Sequence, residues 1–430
     1  MVLALVALAC LVPIYLPNGQ DASRLELTRS IALHGSLEIP SSVGDRAVYH
    51  GRSYTDKAPG MSFLALPVLE VERLAGKARP PTRLHPEADL TLWFVRVATG
   101  GVFFMLGVWL VGRGSDELEP GTGPAVAAIY ATGTLAGALA ASLFGHVTAG
   151  TLGFAAFLLA RHPSPRRALA AGGLAGLAVV VEYQAALLFA AVLVTVALRA
   201  PRRLVEFALG ALPPIAVLAV YNALAFGSPF HLSYRYVANE YAADQERGLF
   251  GIGIPSADGL REVLVGNQGL LVLSPVLVAA AAGLWLLWRR GDRLDAAVIA
   301  LVTLGFVVSD AGYFLPYGGS SPGPRFLVPA LPFLALGLAP ALGRWPRTTL
   351  TLAVVSVVLS TANLITWSAR REHHWLPARP FDNLVASVWS WYGLNRILAS
   401  ALIFAAALAA LAVAAQGLAR RRAACGIVGE

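Results

Sequence analysis

Two charged residues in one polar stretch of the chain, Asp21 and Lys57, carry side chains suited to group transfer. A carboxylate can act as a general base on a hydroxyl, or it can ligate a divalent cation that a phosphate bridges. An ammonium can hold the oxygens of a phosphate leaving group, where negative charge develops. Both residues also have a structural interpretation: Asp21 can cap the helix that begins at Ala22, and Lys57 can face lipid headgroups.

The sequence around Lys57 reads SYTDKAPG and supplies two more candidates. Asp56 can hold the lysine in place or bind a metal, and Tyr54 in the same turn belongs to the predicted substrate site. Arg325 follows the glycine-rich stretch YGGSSPGP at the start of an apolar run. Its guanidinium offers a fork of donors that matches phosphate geometry, and an arginine that anchors a helix end among headgroups is the structural alternative.

Polar and aromatic side chains suited to sugar binding lie at other predicted helix ends. Hydroxyls, amides and aromatic faces are what such a site needs, and ionisable residues at membrane depth are functional candidates by default. The structural alternatives are an interfacial aromatic belt and hydrogen-bonded packing. The candidates are Tyr221, Asn222, His231, Tyr234 and Arg235 in one segment, and His146, Glu182, Tyr183 and Asp310 elsewhere.

Composition indicates the class of protein. Of 430 residues, 57% are hydrophobic and only 13% are charged, and the mean hydropathy is +0.64. Soluble domains carry roughly 25% charged residues, so we predict an all-α polytopic membrane protein whose residues 1–430 form one domain. Cys10 and Cys425 stand at opposite ends, which argues against a disulfide framework or a zinc site. The net charge of +8 reflects arginines in short loops, and we expect no nucleic-acid partner.

Long apolar runs predict about twelve transmembrane helices. The candidate spans are 1–16, 88–112, 123–142, 146–161, 167–182, 184–199, 204–226, 268–289, 294–314, 325–343, 348–367 and 395–419. Short arginine-rich loops fall on one face of this arrangement, and by the positive-inside rule that face is cytoplasmic, together with both termini. Heavy use of alanine, glycine, leucine and arginine suggests a bacterial genome, and hence a bacterial plasma (inner) membrane.

Four longer loops then face outward, namely 17–87, 227–267, 315–324 and 368–394. Within the first loop we expect two helices that lie on the membrane, 22–34 and 60–78, because each carries charges that are costly at a bilayer centre. If 60–78 crossed the membrane instead, every later loop would invert. The segment 368–394 ends in tryptophan and tyrosine residues, which favours an interfacial position.

Several segments of the chain resemble the GT-C membrane glycosyltransferases, and in particular glycosyltransferase family 39. These segments are PNGQDASRLELTRSIALHGSLEI, GRSYTDKAPGMSFLALP, AGLAVVVEYQ, YNALAFGSPF and GGSSPGPRFLVPALPFL. The family includes protein O-mannosyltransferases and lipid A aminoarabinose transferases. The resemblance implies Asp21 as catalytic base, Lys57 on the lipid phosphate and two interfacial helices in the first loop. The chain departs from the family where many relatives carry Asp-Glu in place of Gln20-Asp21, and where KAPG replaces KPP.

The resemblance implies an inverting transfer of a sugar from a polyprenyl-phosphate donor to a hydroxyl of a glycan, lipid or protein at the outer membrane surface. The sugar can be mannose, arabinofuranose, aminoarabinose or another. A divalent cation that bridges Asp21 and the phosphate is compatible with this scheme. The sequence contains no GxxxxGK[ST], HExxH or dinucleotide motif and no soluble nucleotide-sugar domain, so the donor must come from the membrane.

Two other functions compete with glycosyl transfer. A flippase or other transporter of lipid-linked sugars usually shows internal repeats and broken helices in corresponding halves, and the sequence indicates neither. An accessory scaffold for cell-envelope assembly, without chemistry of its own, is the third possibility.

Overall fold

The computed structural model describes residues 1–74, 90–367 and 384–424. Helices dominate this part of the chain, which confirms the predicted all-α polytopic class. Two short antiparallel sheets accompany them. In one sheet Pro13–Ile14 pairs with Ala386–Ser387, and in the other Arg46–Tyr49 pairs with Arg52–Thr55 in a hairpin.

The first loop, which the sequence predicts to face outward, begins with a helix, Gly19–His34, that follows the short helix Val2–Cys10. Asn18 starts it with a capping box: the Asn18 side chain accepts the Asp21 N–H, and the Asp21 carboxylate accepts the Asn18 N–H. The helix stops at Gly35, whose φ of 59° is in the left-handed region. The predicted helix 22–34 is therefore present, but it begins three residues earlier than expected.

A β-hairpin and a second helix complete the described part of this loop. The hairpin turns at His50 and Gly51, both with positive φ, and its first strand also bonds to the second outer loop through Arg46 O and the Ala238 N–H. The sequence analysis did not predict this hairpin. The helix that follows runs over Gly60–Leu74, and the remainder of the predicted helix 60–78 lies outside the described residues.

Five of the described helices are long and apolar enough to cross a membrane. They are Leu90–Leu118, which contains the π-helical turn Val97–Gly101, together with Pro201–Phe226, Arg293–Ala311, Pro346–Thr366 and Arg396–Arg421 of the helix Arg396–Ala424. Two bent pairs raise the number to seven if each is one span. They are Ala257–Leu273 with Val276–Arg290, bent by 90°, and Arg325–Ala335 with Leu338–Arg344, bent by 50°.

Helices of 17 residues or fewer occupy the other five predicted spans, so a count of twelve crossings stays a prediction. These helices are Val2–Cys10, Gly123–Thr132 with Leu135–Ala138, Gly145–Arg161, Pro165–Val181 and Tyr183–Arg199. Shorter helices include Ser233–Tyr236, Ala242–Gln245 and Val388–Trp391. Of the predicted interfacial segment 368–394, residues 368–383 lie outside the described part, and the interfacial role stays a prediction.

Close helix packing in this bundle depends on small residues. A Cβ at Gly172 would lie 1.9 Å from the Phe207 carbonyl oxygen, and one at Gly210 would lie 1.9 Å from that of Leu169. Only glycine allows the helices Pro165–Val181 and Pro201–Phe226 to approach this closely, as is common in membrane bundles.

An ionic cluster joins four of the helices at one end of the bundle. Asp295 accepts from Arg161 Nε at 2.8 Å and from Arg199 Nη2 at 2.6 Å, and Arg161 also contacts Glu117 at 2.9 Å. Several arginines that the sequence assigns to cytoplasmic loops are therefore structural as well, because they hold helix ends together.

Candidate active site

One cavity of about 520 Å³ lies where the first loop and the loop after Phe226 meet the helix ends. This volume is in the usual range for a small-molecule site. The residues that line it include Asn18, Gly19, Gln20, Asp45, Asp56, Lys57, His146, Glu182, Tyr183, Gln184, Tyr234, Asn239, Glu240, Tyr313, Gly318, Arg325 and Phe326. The structure thus brings together Lys57, Arg325, Asp56, His146, Glu182, Tyr183 and Tyr234, as the sequence analysis predicts.

The Lys57 ammonium is held on one side of the cavity by two carboxylates. Its Nζ lies 2.7 Å from Asp56 Oδ2 and 3.3 Å from Asp45 Oδ2. Asp56 also accepts from the Ser23 hydroxyl at 3.3 Å, and its backbone oxygen accepts from the Ser233 hydroxyl at 2.9 Å. Burial raises the pKa of Asp56, and the positive charge of Lys57 opposes that shift. The two carboxylates therefore fix the position of the lysine and offset its positive charge.

Asp21 does not line the cavity, and the structure does not support its predicted role as general base. Its carboxylate lies 1% exposed against the Arg96 guanidinium, with Oδ2 2.5 Å from Nη2 and Oδ1 3.3 Å from Nε. It also completes the capping box with Asn18. Both oxygens thus accept structural bonds, and the carboxylate is buried away from the cavity lining.

Gln20, the preceding residue, faces the cavity instead. Its amide oxygen accepts a short hydrogen bond from Arg24 Nη1, one helical turn further on. Because arginine can only donate, the amide oxygen must point at Arg24, and the NH₂ group is left to donate elsewhere. At the start of the first-loop helix, the side chain that lines the cavity is therefore the amide of Gln20 and not the carboxylate of Asp21.

Glu182 places a buried carboxylate in the lining of the cavity. It stands in extended conformation between the helices Pro165–Val181 and Tyr183–Ala185, with φ −151° and ψ 121°. Three polar groups lie near its carboxylate, all at distances longer than a typical hydrogen bond. The Tyr234 hydroxyl donates at 3.2 Å, Arg24 Nη2 lies at 3.5 Å, and His146 Nδ1 lies at 3.6 Å. The last distance is too long for a hydrogen bond, and His146 Nδ1 has no other partner among the described residues.

Two glycines let neighbouring helices approach the backbone at Glu182. A Cβ at Gly60 would lie 2.6 Å from Val181 Cα, and one at Gly145 would lie 2.8 Å from Val181 O and 2.9 Å from Glu182 Oε2. The helix that follows the Lys57 turn is therefore pressed directly against the chain that carries Glu182, which fixes the spacing of the two sides of the cavity.

Arg325 brings a buried positive charge that is not committed to a carboxylate. Its guanidinium carbon lies 4.8 Å from the Phe144 ring centre and 5.2 Å from that of Phe326. In residues 1–74, 90–367 and 384–424 its Nε has no hydrogen-bond partner, and no carboxylate lies within ion-pair distance. Gly318, with φ 71°, passes so close that a Cβ would lie 2.7 Å from Arg325 Nε.

Four predicted substrate residues lie outside the cavity lining, and the structure assigns them to packing. Tyr54 and Tyr221 belong to a small aromatic core around Phe226, with ring centres 5.4 and 6.4 Å from it. Asn222 donates to the Pro229 carbonyl at 3.3 Å. His231 Nδ1 lies 2.9 Å from both the Phe226 carbonyl and the Tyr236 hydroxyl. The same hydroxyl and aromatic side chains that could bind a sugar can also pack in a small core at a helix end.

Two further candidates from the sequence also lie outside the lining. Arg235 is exposed, and Asp310 is buried with neither oxygen bonded in the described part of the chain. The residues that the sequence analysis missed are Gln20, Arg24, Asp45 and Arg96. Gln20 and Arg24 have the i,i+4 spacing of side chains that bond along one helix face, which is a usable signal.

The residues around Asp21 do not fit a metal ion, because the Arg96 cation occupies the place beside the carboxylate. Lys57 likewise stands between Asp45 and Asp56. The described ranges contain no group of three or more His, Cys, Asp or Glu side chains with suitable spacing.

No protein-family model matches the sequence, and no curated protein matches it. Solved structures that share its fold include ArnT from Cupriavidus metallidurans in the apo state and bound to undecaprenyl phosphate, each with 14% sequence identity and a TM-score of 0.53. The apo match covers 96% of this chain and 75% of ArnT, and the bound match covers 98% and 77%. The chain therefore shares the fold of ArnT, and its apolar helices indicate a multi-pass membrane protein.

Proposed function

We propose that this protein is a membrane glycosyltransferase that moves a sugar from a polyprenyl-phosphate donor to an acceptor hydroxyl. The observation that carries the proposal is the pair of cations in one cavity, Lys57 and Arg325. The Arg325 guanidinium is buried without a carboxylate partner among the described residues. A buried charge without a partner is costly, and an anionic ligand would offset that cost.

A phosphate is the anion that best suits these two groups. The Arg325 fork can donate to two oxygens of one phosphate, and Lys57 can hold a third as a point charge. Asp45 and Asp56 hold the lysine in place at the cavity. The ArnT structure bound to undecaprenyl phosphate has the same fold, which supports an amphiphilic phosphate as the ligand here.

The cavity and the ionic cluster lie at opposite ends of the same helices. The helix Gly145–Arg161 begins beside Glu182 and ends at Arg161, and Arg293–Ala311 begins near Asp295 and ends beside the cavity. Seventeen helical residues span about 25 Å. Because arginine-rich ends are cytoplasmic by the positive-inside rule, we place the cavity at the extracytoplasmic face of a bacterial plasma membrane, with both termini cytoplasmic.

The reaction would need a proton acceptor but no general acid. As the acceptor hydroxyl attacks the anomeric carbon, the bond from that carbon to the phosphate oxygen breaks. The lipid phosphate leaves with the electron pair, and Lys57 and Arg325 stabilise its second negative charge. Phosphate is a good leaving group, so protonation of the departing oxygen is not required. The sugar would occupy the polar part of the cavity beside Tyr183 and Tyr234.

A flippase for lipid-linked sugars is the alternative, and one observation bears on it. Two helix pairs are broken, which the sequence did not indicate. Both breaks fall within 257–344, in the second half of the chain, whereas transporters with inverted repeats break helices at corresponding positions of two halves. The breaks therefore give the transporter hypothesis only limited support.

Purified protein in lipid nanodiscs tests the proposal directly. Radiolabelled polyprenyl-phosphate mannose, arabinofuranose and aminoarabinose would each be added with glycan, lipid and protein acceptors. Release of free polyprenyl phosphate together with sugar transfer supports an enzyme. Movement of intact donor between leaflets, without release, supports a flippase, and neither event supports a scaffold.

Donor binding tests the phosphate assignment separately. Lys57→Ala and Arg325→Ala should each weaken binding of polyprenyl phosphate by about tenfold or more, the equivalent of a charged hydrogen bond. Arg52→Ala is the matched control, because this exposed arginine forms an ion pair with Glu38 and lies outside the lining. Unchanged affinity in both cavity variants would contradict the assignment.

A further inference from the structure

The cavity contains four carboxylates within the described ranges, and only one is placed to accept a proton from the attacking hydroxyl. They are Asp45, Asp56, Glu182 and Glu240. In a direct displacement the hydroxyl approaches the anomeric carbon from the face opposite the departing phosphate. The proton acceptor must therefore lie away from the cations that hold that phosphate.

Asp45 and Asp56 do not meet this condition. Both are bound to Lys57 Nζ, at 3.3 and 2.7 Å, so they stand on the phosphate side of the cavity. Asp56 also uses its other oxygen to accept from Ser23. Glu240 is exposed at the protein surface, where water screens it from the reaction centre.

Glu182 is bonded to neither Lys57 nor Arg325 in the described part of the chain. Its side chain is 3% exposed and contacts Arg24, Tyr234 and His146 instead. Its contacts at 3.2 to 3.6 Å leave lone pairs available. His146 Nδ1, 3.6 Å from Glu182 Oε2, has no hydrogen-bond partner in the described part of the chain, so a second polar group stands beside the carboxylate.

The neighbours of Glu182 suit a general base. The Arg24 guanidinium stabilises the ionised carboxylate, and the Tyr234 hydroxyl fixes the orientation of its Oε1. Arg24 in turn holds the amide oxygen of Gln20, so that the Gln20 NH₂ group is available to donate to the substrate. A glutamate, an arginine and a glutamine thus form one bonded chain from the cavity wall to the first loop.

We propose that Glu182 is the general base of the transfer, taking the role that the sequence assigns to Asp21. This inference rests on the proposed function. The acceptor O–H bond breaks and its proton moves to the Glu182 carboxylate, while the acceptor oxygen forms a bond to the anomeric carbon. The bond from that carbon to the phosphate oxygen breaks, and the lipid phosphate leaves as a monoester. Glu182 then releases the proton to water in the open cavity.

Two nucleophiles distinguish a base from a group that binds the donor or holds the fold. An alkyl glycoside such as n-octyl β-glucoside must lose a proton as it attacks, whereas azide is already an anion and needs no base. Glu182→Gln should reduce transfer to the glycoside by about 100-fold, the usual contribution of a positioned base. The same variant should form glycosyl azide at nearly the wild-type rate and should bind polyprenyl phosphate normally.

Matched variants separate the alternatives. Glu38→Gln, in an exposed ion pair with Arg52, should retain wild-type transfer to both nucleophiles. If Asp56→Asn loses glycoside transfer but keeps azide transfer, while Glu182→Gln does not, the base is Asp56 and the inference fails. It also fails if Glu182→Gln transfers to the glycoside within threefold of wild type, or loses both reactions while still binding the donor.

A second variant covers the case in which Glu182→Gln does not fold. Glu182→Asp keeps the charge opposite Arg24 but withdraws the carboxylate by one methylene, so glycoside transfer should fall while azide transfer persists. Equal loss with both nucleophiles would contradict the base role. If the wild-type protein releases no polyprenyl phosphate from any donor, the proposed function itself fails, and this inference with it. If the wild-type protein does release polyprenyl phosphate, and Glu182→Gln transfers sugar to the glycoside at the same rate, only the assignment of Glu182 fails.

Discussion

The Asp21 carboxylate and the Arg96 guanidinium form a buried ion pair, with Asp21 Oδ2 2.5 Å from Arg96 Nη2 and side chains only 1% and 2% exposed. Arg96 also donates to the Tyr15 carbonyl at 2.7 Å and to the Leu16 carbonyl at 3.3 Å. The pair thus ties the start of the first-loop helix to a membrane helix 75 residues away. Its role is to hold the first loop on the bundle.

Asp21→Asn should therefore destabilise the protein rather than abolish catalysis selectively. Removing one partner of a buried pair leaves the other charge uncompensated and costs about 3–5 kcal/mol. Thermal unfolding of the purified protein measures this loss. The double variant Asp21→Asn with Arg96→Met should recover part of it, because the orphaned cation is gone. Full stability together with complete loss of transfer would instead restore Asp21 as the base.

Donor affinity should increase as the pH falls through the pKa of Asp56. Burial raises that pKa above the ordinary aspartate value, and protonation then removes a negative charge 2.7 Å from Lys57 Nζ. Lys57 is left with more uncompensated positive charge for the phosphate. A phosphodiester-linked donor suits the measurement, because its own charge does not change over this range. Asp56→Asn should bind the donor more tightly and should lose the dependence of donor affinity on pH. If donor affinity changes with pH in Asp56→Asn as it does in the wild type, another group causes the pH dependence.

The ionic cluster at the other end of the bundle should be structural only. Asp295→Ala leaves Arg161 and Arg199 without their shared carboxylate and should cost about 3–5 kcal/mol of stability. Because the cluster lies at the opposite ends of the helices from the cavity, transfer per folded molecule should not change. Unfolding midpoints and transfer rates measured on the same preparation test this. Loss of transfer at wild-type stability would show that the two ends are coupled.

Gly60→Ala should impair transfer by moving the Lys57 turn away from Glu182. The added Cβ would lie 2.6 Å from Val181 Cα, against backbone that has no flexible side chain to yield. Gly417→Ala is the matched control: no atom lies within 4 Å of its Cβ position, and alanine in a helix is favourable by about 0.5–1 kcal/mol. The transfer rate of each variant, normalised to folded protein, measures the effect. Equal rates for the two variants would mean that the Gly60 contact does not set the cavity.

The sequence was enough to predict the membrane class and a shared place for Lys57 and Arg325, which line one cavity, because these follow from apolar runs and from charge in an apolar chain. It did not identify which face of the first-loop helix meets the cavity. The helix begins at Gly19 rather than Ala22, and each residue turns the side-chain direction by about 100°. This rotation places Gln20 in the cavity and turns Asp21 toward Arg96.

Residues distant in sequence decided the rest of the site. Arg96 is 75 positions from Asp21, and Glu182 is 158 positions from Arg24. Spacing within one segment carries no information about such pairs. The aromatic residues Tyr54 and Tyr221 had the right chemistry for sugar binding, but hydrophobic periodicity does not distinguish a small core from a binding face.

Release of polyprenyl phosphate is the measurement that tests the central claim most directly. Wild-type protein in nanodiscs, Lys57→Ala and Arg325→Ala would each be incubated with the radiolabelled donors and acceptors. The account predicts that the wild-type protein releases free polyprenyl phosphate in step with sugar transfer, and that both variants release far less. If the wild type leaves every donor intact, or if both variants release it as fast as the wild type does, the cavity of Lys57 and Arg325 is not a glycosyl-transfer site.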